Sequence, residues 1–274
     1  MYYKYEGVSY HVEVQGKGMP LLLLHGFTGS SQTWSTFAKS WARYYQVITI
    51  DIIGHGKTDS PKTVSLYTME QMMNVIVGLF DQLHIEKAVV LGYSMGARLA
   101  LALSCHFPER VKALIMESGS PGLKTEAEKI ARQAADEKLA VFIKNQGIFK
   151  FVDYWENIPM FETQKQMSVQ DQALVRQERL AQTERGLGNS LLGMGTGAQE
   201  SYWERLNDLL FPVLLITGEQ DRKFCEIAKK MSNQLKFCRH KVVLNAGHAI
   251  HVEQPRIFGK IVSEFLSEHE EEER

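Results

Sequence analysis

Short apolar runs separated by segments of helical periodicity constrain the fold of this chain more than any other feature. Four such runs lie in its first half, at Leu21–Leu24, Val47–Asp51, Ala88–Leu91 and Val111–Glu117. Runs of this length and composition are typical of strands that are buried on both faces. Because these strands alternate with helices, the sequence predicts an α/β fold with a mostly parallel sheet flanked by helices.

The alternation stops at Pro121 and resumes only near Phe211. The residues between are helix-like and rich in Gln, Glu, Lys and Ala, with no strong strand pattern. We therefore predict a core of residues 1–120 and 207–274, with a helical lid of residues 121–206 inserted beside the strand ends. Beyond the lid we predict a strand at Phe211–Thr217, a final strand at Lys241–Leu244 and a final helix at Pro255–Leu266, with the acidic run 270–274 closing that helix in solvent.

Composition excludes several classes of function. Lys and Arg total 31 against 32 Asp and Glu, so the net charge of −1 gives no general reason to bind nucleic acid or an anionic membrane. No apolar run approaches the 18 residues of a membrane span. The three cysteines, Cys105, Cys225 and Cys238, form no CxxC pair, which favours a reduced cytoplasmic protein without a structural zinc site. We expect a monomer.

The segment Gly92-Tyr-Ser-Met-Gly96 matches the G-x-S-x-G pattern and lies between a predicted strand and a predicted helix. That context is the one in which the pattern forms a nucleophile elbow, a sharp turn that exposes a serine hydroxyl above the sheet. Because this turn strains the backbone of the serine, the residues two positions before and after the serine must be small, and here both are glycine. Ser94 is therefore the predicted nucleophile.

A serine nucleophile needs a base and an acid that orients the base. After Ser94, Asp221 follows the strand Phe211–Thr217 and His248 follows the strand Lys241–Leu244. This is the order of triad residues in this type of fold, and loops at the carboxyl ends of parallel strands converge. We predict the triad Ser94, Asp221 and His248, with His251 and Glu253 as supporting hydrogen-bond partners.

Two backbone N–H groups are predicted to form an oxyanion hole. One belongs to Met95, the residue after the nucleophile, and the other to Phe27 in the loop after the strand Leu21–Leu24. His25 and His55 lie in glycine-rich loops nearby, and we interpret both as structural residues that hold these loops.

The chain resembles the α/β-hydrolase superfamily along its whole length, through His25–Gly29, Asp51–Gly56, the elbow and the terminal Gly-His pair. Within it, the chain is similar to the 2-succinyl-6-hydroxy-2,4-cyclohexadiene-1-carboxylate synthases of menaquinone biosynthesis. Three segments carry this resemblance: Gly92-Tyr-Ser-Met-Gly-Ala-Arg98, Ser120-Pro-Gly-Leu-Lys-Thr-Glu126 and Gly195-Thr-Gly-Ala-Gln-Glu-Ser-Tyr-Trp203.

The resemblance implies a lyase that uses no metal or other cofactor. It would abstract a proton from 2-succinyl-5-enolpyruvyl-6-hydroxy-3-cyclohexene-1-carboxylate and expel pyruvate in a 2,5-elimination. The small-molecule substrate is a polycarboxylate, so its pocket needs cations, and a guanidinium can hold a carboxylate in two hydrogen bonds. Arg98 is the first candidate, and Arg132 with Arg176 or Arg179 would come from the lid. The aromatic residues that could line the pocket are Tyr93, Trp155 and Trp203.

Two other functions remain open at this point. A carboxylic-ester or carbon–carbon-bond hydrolase would use the same triad with water in a more apolar pocket. A noncatalytic small-molecule receptor would keep the fold without needing the triad. Ser94 argues against haloalkane dehalogenases and epoxide hydrolases, which carry Asp at the elbow.

Overall fold

The structure, a computed structural model, describes residues 1–269, which contain one eight-stranded sheet. Its strands are β1 Tyr2–Tyr5, β2 Val8–Gln15, β3 Pro20–Leu24, β4 Gln46–Ile50, β5 Ala88–Tyr93, β6 Val111–Glu117, β7 Val213–Gly218 and β8 Cys238–Val243. Across the sheet they follow the order β1-β2-β4-β3-β5-β6-β7-β8. Strands β3 to β8 pair in parallel, whereas β1 and β2 are antiparallel to their neighbours. The predicted mostly parallel α/β sheet is confirmed.

Helices cover both faces of this sheet. Their bounds are α1 Ser35–Trp41, α2 Met69–Gln82, α3 Met95–His106, α4 Glu126–Trp155, α5 Val169–Leu180, α6 Glu184–Met194, α7 Arg222–Ser232, α8 Ile250–Glu253 and α9 Pro255–Glu268. Leu21 and Leu23 of β3 pack with α1 and α9, while Leu22 packs with α2 and α3. Successive side chains of a strand point to opposite faces, so an unbroken apolar run serves both layers.

Residues 121–206, which we call the lid, contribute α4, α5 and α6 and contain no strand. These helices have an apolar cluster of their own, which includes Ile143, Phe151 and Leu187. Helix α4 changes direction at Gly147, whose φ of 81° lies in the left-handed region that glycine adopts without strain. The lid follows β6 and precedes β7, so it lies beside the ends of the central strands.

The sequence patterns and the structure differ at a few elements. The edge strand β1 was not predicted, because four residues are too few to show an alternation. Strand β8 begins at Cys238 rather than Lys241 and ends at Val243, and the amphipathic helix α7 was not anticipated. Helix α9 extends two residues beyond the predicted Leu266, to Glu268. The acidic run 270–274 lies outside the described residues. Within residues 1–269, no helix is both long enough and apolar enough to cross a membrane.

Candidate active site

Ser94 lies on the sharp turn between β5 and α3. Its φ of 50° is unusual for a residue with a side chain, and its backbone N–H donates a 2.8 Å hydrogen bond to the carbonyl of Glu117. A Cβ atom at Gly92 would collide with the backbone of Gly96, and one at Gly96 would collide with the carbonyl of Leu24. The two glycines are therefore required for the elbow to form, and the elbow places the Ser94 hydroxyl at the strand ends.

The three predicted triad side chains meet above the carboxyl ends of the strands. The Ser94 hydroxyl lies 3.0 Å from Nε2 of His248, and Nδ1–H of His248 donates a 2.6 Å hydrogen bond to Oδ2 of Asp221. Oδ1 of Asp221 accepts a second hydrogen bond from the backbone N–H of Phe224, at the start of α7. This arrangement can move a proton from the serine to the imidazole while the carboxylate fixes the imidazole tautomer.

Aromatic rings and a carboxylate hold His248 in place. Its ring centroid lies 4.6 Å from that of Phe224 and 5.5 Å from that of Tyr93. Glu253 accepts hydrogen bonds from the backbone N–H groups of Gly247 at 2.6 Å and Ala249 at 3.3 Å, on both sides of the histidine. Burial raises the pKa of Glu253. The carboxylate of Glu253 thus fixes the backbone around His248 and does not bind the imidazole. We call residues 247–251 the histidine loop.

The two backbone amides predicted for the oxyanion hole lie beside the serine. Phe27 and Met95 line the same cavity as Ser94. Neither N–H group donates a hydrogen bond within the part of the chain that the structure describes, and Met95 is the first residue of α3. Both amides are therefore available to a negatively charged oxygen near the Ser94 hydroxyl.

His25 and His55 lie behind this site and hold loops. Nδ1–H of His25 donates to the carbonyl of Gly26 at 2.8 Å, and its Nε2 accepts the N–H of Ile52 at 2.9 Å. Burial lowers the pKa of His25, and it lowers the pKa of His55 to about 3. Both rings are uncharged at neutral pH, and His25 joins the Phe27 loop to the end of β4.

A cavity of about 850 Å³ opens over Ser94 and His248 between the core and the lid. Of the residues predicted to bind substrate, it is lined by Tyr93, Arg98, Arg132, Trp155 and Trp203. Trp203 donates a 3.0 Å hydrogen bond from its indole to the carbonyl of Gly122, and Lys124 lies 4.4 Å above its ring. Lys124 also lines the cavity, as do Lys223 and Lys230 of α7, and no sequence pattern had singled out these lysines.

Arg98 brings a positive charge into the wall of this cavity. It is 9% exposed, and one of its guanidinium nitrogens donates a 2.6 Å hydrogen bond to Oε1 of Gln199. No ion pair joins it to a carboxylate among residues 1–269. Burial, and after it the charge of Arg132, lowers the pKa of Arg98 to about 10, against a smaller opposing effect of the charge of Asp136. Arg132 itself donates to Asp136 at 2.9 Å, and burial raises the pKa of Asp136.

The other two predicted lid arginines lie elsewhere. Arg176 pairs with Asp153 at 2.6 Å and with Glu156 at 2.5 Å on the outside of the lid, and it does not line the cavity over Ser94. Arg179 is buried in a neighbouring cavity of about 620 Å³, with its guanidinium 4.7 Å from the ring centroid of Phe161. Phe161 lines both cavities and separates Arg179 from the triad.

Sequence reasoning missed Glu117, the last residue of β6. Its side chain is completely buried and binds His251, three residues after His248. The available signal was a charged residue directly after the apolar run Ala113–Met116. No group of three or more His, Cys, Asp or Glu residues in the described part of the chain is arranged to hold a metal ion.

Comparisons with known proteins identify the fold family of the chain. Residues 19–255 match the model of the alpha/beta hydrolase fold family. A Bacillus subtilis protein provisionally named a 2-succinyl-6-hydroxy-2,4-cyclohexadiene-1-carboxylate synthase is 46% identical over 264 residues, which cover 96% of each chain. The solved structure of MenH from S. aureus superposes with a TM-score of 0.90 at 33% identity, over 95% of this chain and 98% of that one.

A more distant structure shares the fold alone. The enol-lactonase from Burkholderia xenovorans superposes with a TM-score of 0.85 at 19% identity, over 97% of this chain and 100% of that one. The family model covers most of the chain, and the elbow and the sheet order are in place around Ser94. The chain therefore belongs to the α/β-hydrolase family.

Proposed function

We propose that this protein is a 2-succinyl-6-hydroxy-2,4-cyclohexadiene-1-carboxylate synthase, a lyase of menaquinone biosynthesis. The observation that carries the proposal is the meeting of two features in one cavity. One is the proton relay of Ser94, His248 and Asp221, and the other is the buried guanidinium of Arg98 without a carboxylate partner in the described chain. The names of the Bacillus subtilis relative and of the S. aureus structure support the same activity.

The triad acts as a base in this proposal. The Ser94 oxygen removes a proton from a ring carbon of the substrate while its own proton passes to Nε2 of His248, and Asp221 stabilises the resulting imidazolium. The electron pair of the broken C–H bond moves through the ring and breaks the C–O bond to the enolpyruvyl group. Pyruvate leaves as its enolate and takes up a proton to become pyruvate, and the imidazolium of His248 gives up the proton it received, which restores the relay. The elimination is redox-neutral and uses only protein side chains, so we propose no metal or organic cofactor.

The free amides of Phe27 and Met95 would stabilise this transition state. Proton removal places negative charge on a substrate oxygen conjugated with the reacting carbon. If both N–H groups bind this oxygen, they need little reorganisation, and such donors are commonly worth about 3 kcal/mol each. Their lack of partners within residues 1–269 is the feature that fits them to the role.

The cavity wall explains a preference for a polycarboxylate. A buried guanidinium without a directly paired carboxylate is unfavourable, so a substrate carboxylate at Arg98 would remove a free-energy cost that the protein carries without substrate. Arg132, Tyr93, Trp155 and Trp203 would complete this wall. We leave Arg176 out of the proposed site because both of its acidic partners are on the lid surface. Arg179 would contact substrate only if Phe161 moved.

The decisive experiment measures pyruvate release from 2-succinyl-5-enolpyruvyl-6-hydroxy-3-cyclohexene-1-carboxylate, followed through lactate dehydrogenase and NADH. We expect turnover by the wild-type protein and a rate more than about a thousandfold lower in Ser94→Ala. Hydrolysis of p-nitrophenyl acetate is the comparison reaction. Brisk ester hydrolysis without pyruvate release would replace the lyase with an ester hydrolase, and the absence of both activities would favour a receptor.

We also propose that the protein acts as a monomer in the cytoplasm, without nucleic acid or membrane. The relay and the cavity are built from a single chain, so the proposed site needs no second copy. Its three cysteines are free thiols, which suits a reducing compartment. Sedimentation of the purified protein at assay concentration would test the monomer.

A further inference from the structure

Glu117 contacts both loops that carry the proton relay. Its backbone carbonyl accepts the N–H of Ser94 at 2.8 Å. Its carboxylate accepts the backbone N–H of His251 at 2.9 Å and lies 2.8 and 2.9 Å from Nδ1 of the same residue. Glu117 therefore binds the turn of residues 93–95, which we call the serine turn, through its main chain. It binds the histidine loop through its side chain.

The contact on the histidine side is rigid. His251 is 4% exposed and belongs to α8, which begins two residues after His248. Its ring centroid lies 4.5 Å from that of Tyr93 and 5.0 Å from that of Trp34. Because Tyr93 directly precedes Ser94, this ring also touches the residue that leads into the elbow. His251 thus connects the two loops through its hydrogen bonds to Glu117 and its ring contact with Tyr93.

The connection has a chemical consequence because Ser94 and His248 come from different strands. Their 3.0 Å separation is the distance over which the relay moves its proton. A misplacement of about 1 Å in such a pair can reduce the rate by about a hundredfold. Ser94 also has a strained backbone, which persists only when surrounding contacts fix it.

We propose that Glu117 is a positioning residue, which holds Ser94 and His248 at reacting distance through its paired contacts with the serine turn and His251. This proposal rests on the proton relay of the proposed function. Glu117 does not reach the cavity, so it acts on the reaction only through the two loops. Glu253 closes the histidine loop on itself, whereas Glu117 fixes that loop relative to the serine.

The test compares Glu117→Ala with Glu117→Gln. The alanine variant removes both side-chain hydrogen bonds, so we expect kcat for pyruvate release to fall about tenfold to a hundredfold while KM stays within about twofold. The glutamine amide can accept the N–H of His251 and donate to Nδ1 of the other tautomer. It should therefore restore kcat to within about threefold of wild type. Circular dichroism and thermal unfolding confirm that each variant is folded.

A second measurement is independent of the natural substrate. The rate at which a fluorophosphonate labels Ser94 depends on the serine–histidine geometry and does not require the natural substrate. This rate should fall in Glu117→Ala and recover in Glu117→Gln, as kcat does. If the wild type is labelled but releases no pyruvate, the proposed function fails while the labelling rates still decide the role of Glu117. Should Glu117→Ala not fold, His251→Phe keeps a ring beside Trp34 and Tyr93 without the Nδ1–H donor, and its labelling rate should also fall.

The matched control is Glu219→Ala. Glu219 is an exposed carboxylate that accepts the N–H of Asn245 at 3.2 Å, so it also binds the chain before His248 but does not touch the serine turn. Its removal should leave kcat and labelling unchanged. Wild-type kcat in folded Glu117→Ala, no recovery in Glu117→Gln, or an equal loss in Glu219→Ala would each overturn the positioning role.

Discussion

Replacing Arg98 by methionine should make the protein more stable and a much poorer enzyme. The guanidinium is buried beside Gln199 and forms no ion pair with a carboxylate among residues 1–269, although the charge of Asp136 offsets part of the effect of burial. Burial lowers the pKa of Arg98 from the ordinary arginine value of 12.5 to about 10. This difference in pKa corresponds to a cost of about 3 kcal/mol in the free energy of folding. Methionine fills similar space with no charge. It leaves Oε1 of Gln199 without a donor, however, which costs about 1–3 kcal/mol.

The net effect is a gain in unfolding free energy of about 0–2 kcal/mol. Since the pKa is lowered in the folded state, the penalty in the wild type is fully present below about pH 10 and is relieved as the pH rises further. The advantage of Arg98→Met should therefore be constant from pH 6 to 9 and shrink above pH 10. The double variant Arg98→Met/Gln199→Met removes both partners and should approach the full gain of about 3 kcal/mol.

Activity should change in the opposite direction. Removing one partner of a buried charge pair costs about 2–5 kcal/mol of binding, which lowers kcat/KM for the polycarboxylate about 30-fold to several thousand-fold. Urea unfolding and pyruvate release measure the two effects. Arg110→Met is the control, because Arg110 is paired with Asp81 at 2.8 Å and its loss should not stabilise the fold. A loss of more than 1 kcal/mol in Arg98→Met, or unchanged kcat/KM, would refute the reasoning.

Three further predictions concern the relay, the elbow and the lid. Ser94→Ala should lower pyruvate release by more than about a thousandfold, and adding His248→Ala should lower it little further because triad members act as a unit; additive losses would contradict this. Gly96→Ala should lose at least about 2 kcal/mol in urea unfolding, because its Cβ collides with the carbonyl of Leu24, and wild-type stability would show that the turn relaxes. Glu178→Ala removes hydrogen bonds of 2.7 and 2.8 Å from two core hydroxyls to α5. In Glu178→Ala, amide hydrogen exchange in α5 should be about tenfold faster than in the wild type, while exchange in β3 is unchanged. Equal exchange rates in α5 of the wild type and of Glu178→Ala would show that Glu178 does not stabilise the contact between lid and core.

The fold and the meeting of Ser94, His248 and Asp221 could be predicted from the sequence because both depend on local patterns. An apolar run such as Leu21–Leu24 specifies a strand with two buried faces, since alternate side chains meet different helical layers. Gly92 and Gly96 specify the elbow because no larger residue fits its turn. His248 and Asp221 could be chosen by their places after predicted strands, because parallel strands bring their carboxyl ends to one edge of the sheet.

Only the tertiary structure decided where the side chains of the lid arginines lie and which contacts position the relay residues. Arg176 and Arg179 lie three residues apart on α5, yet one pairs with acidic residues at the C-terminal end of α4 and the other is buried behind Phe161. The sequence of α5 has no strongly apolar face, so its rotation about its own axis is set by what α4 and the core present to it. Glu117 was hidden for a similar reason. Its partner His251 is 134 residues away, and no local pattern records a contact between the end of one strand and a loop that follows another.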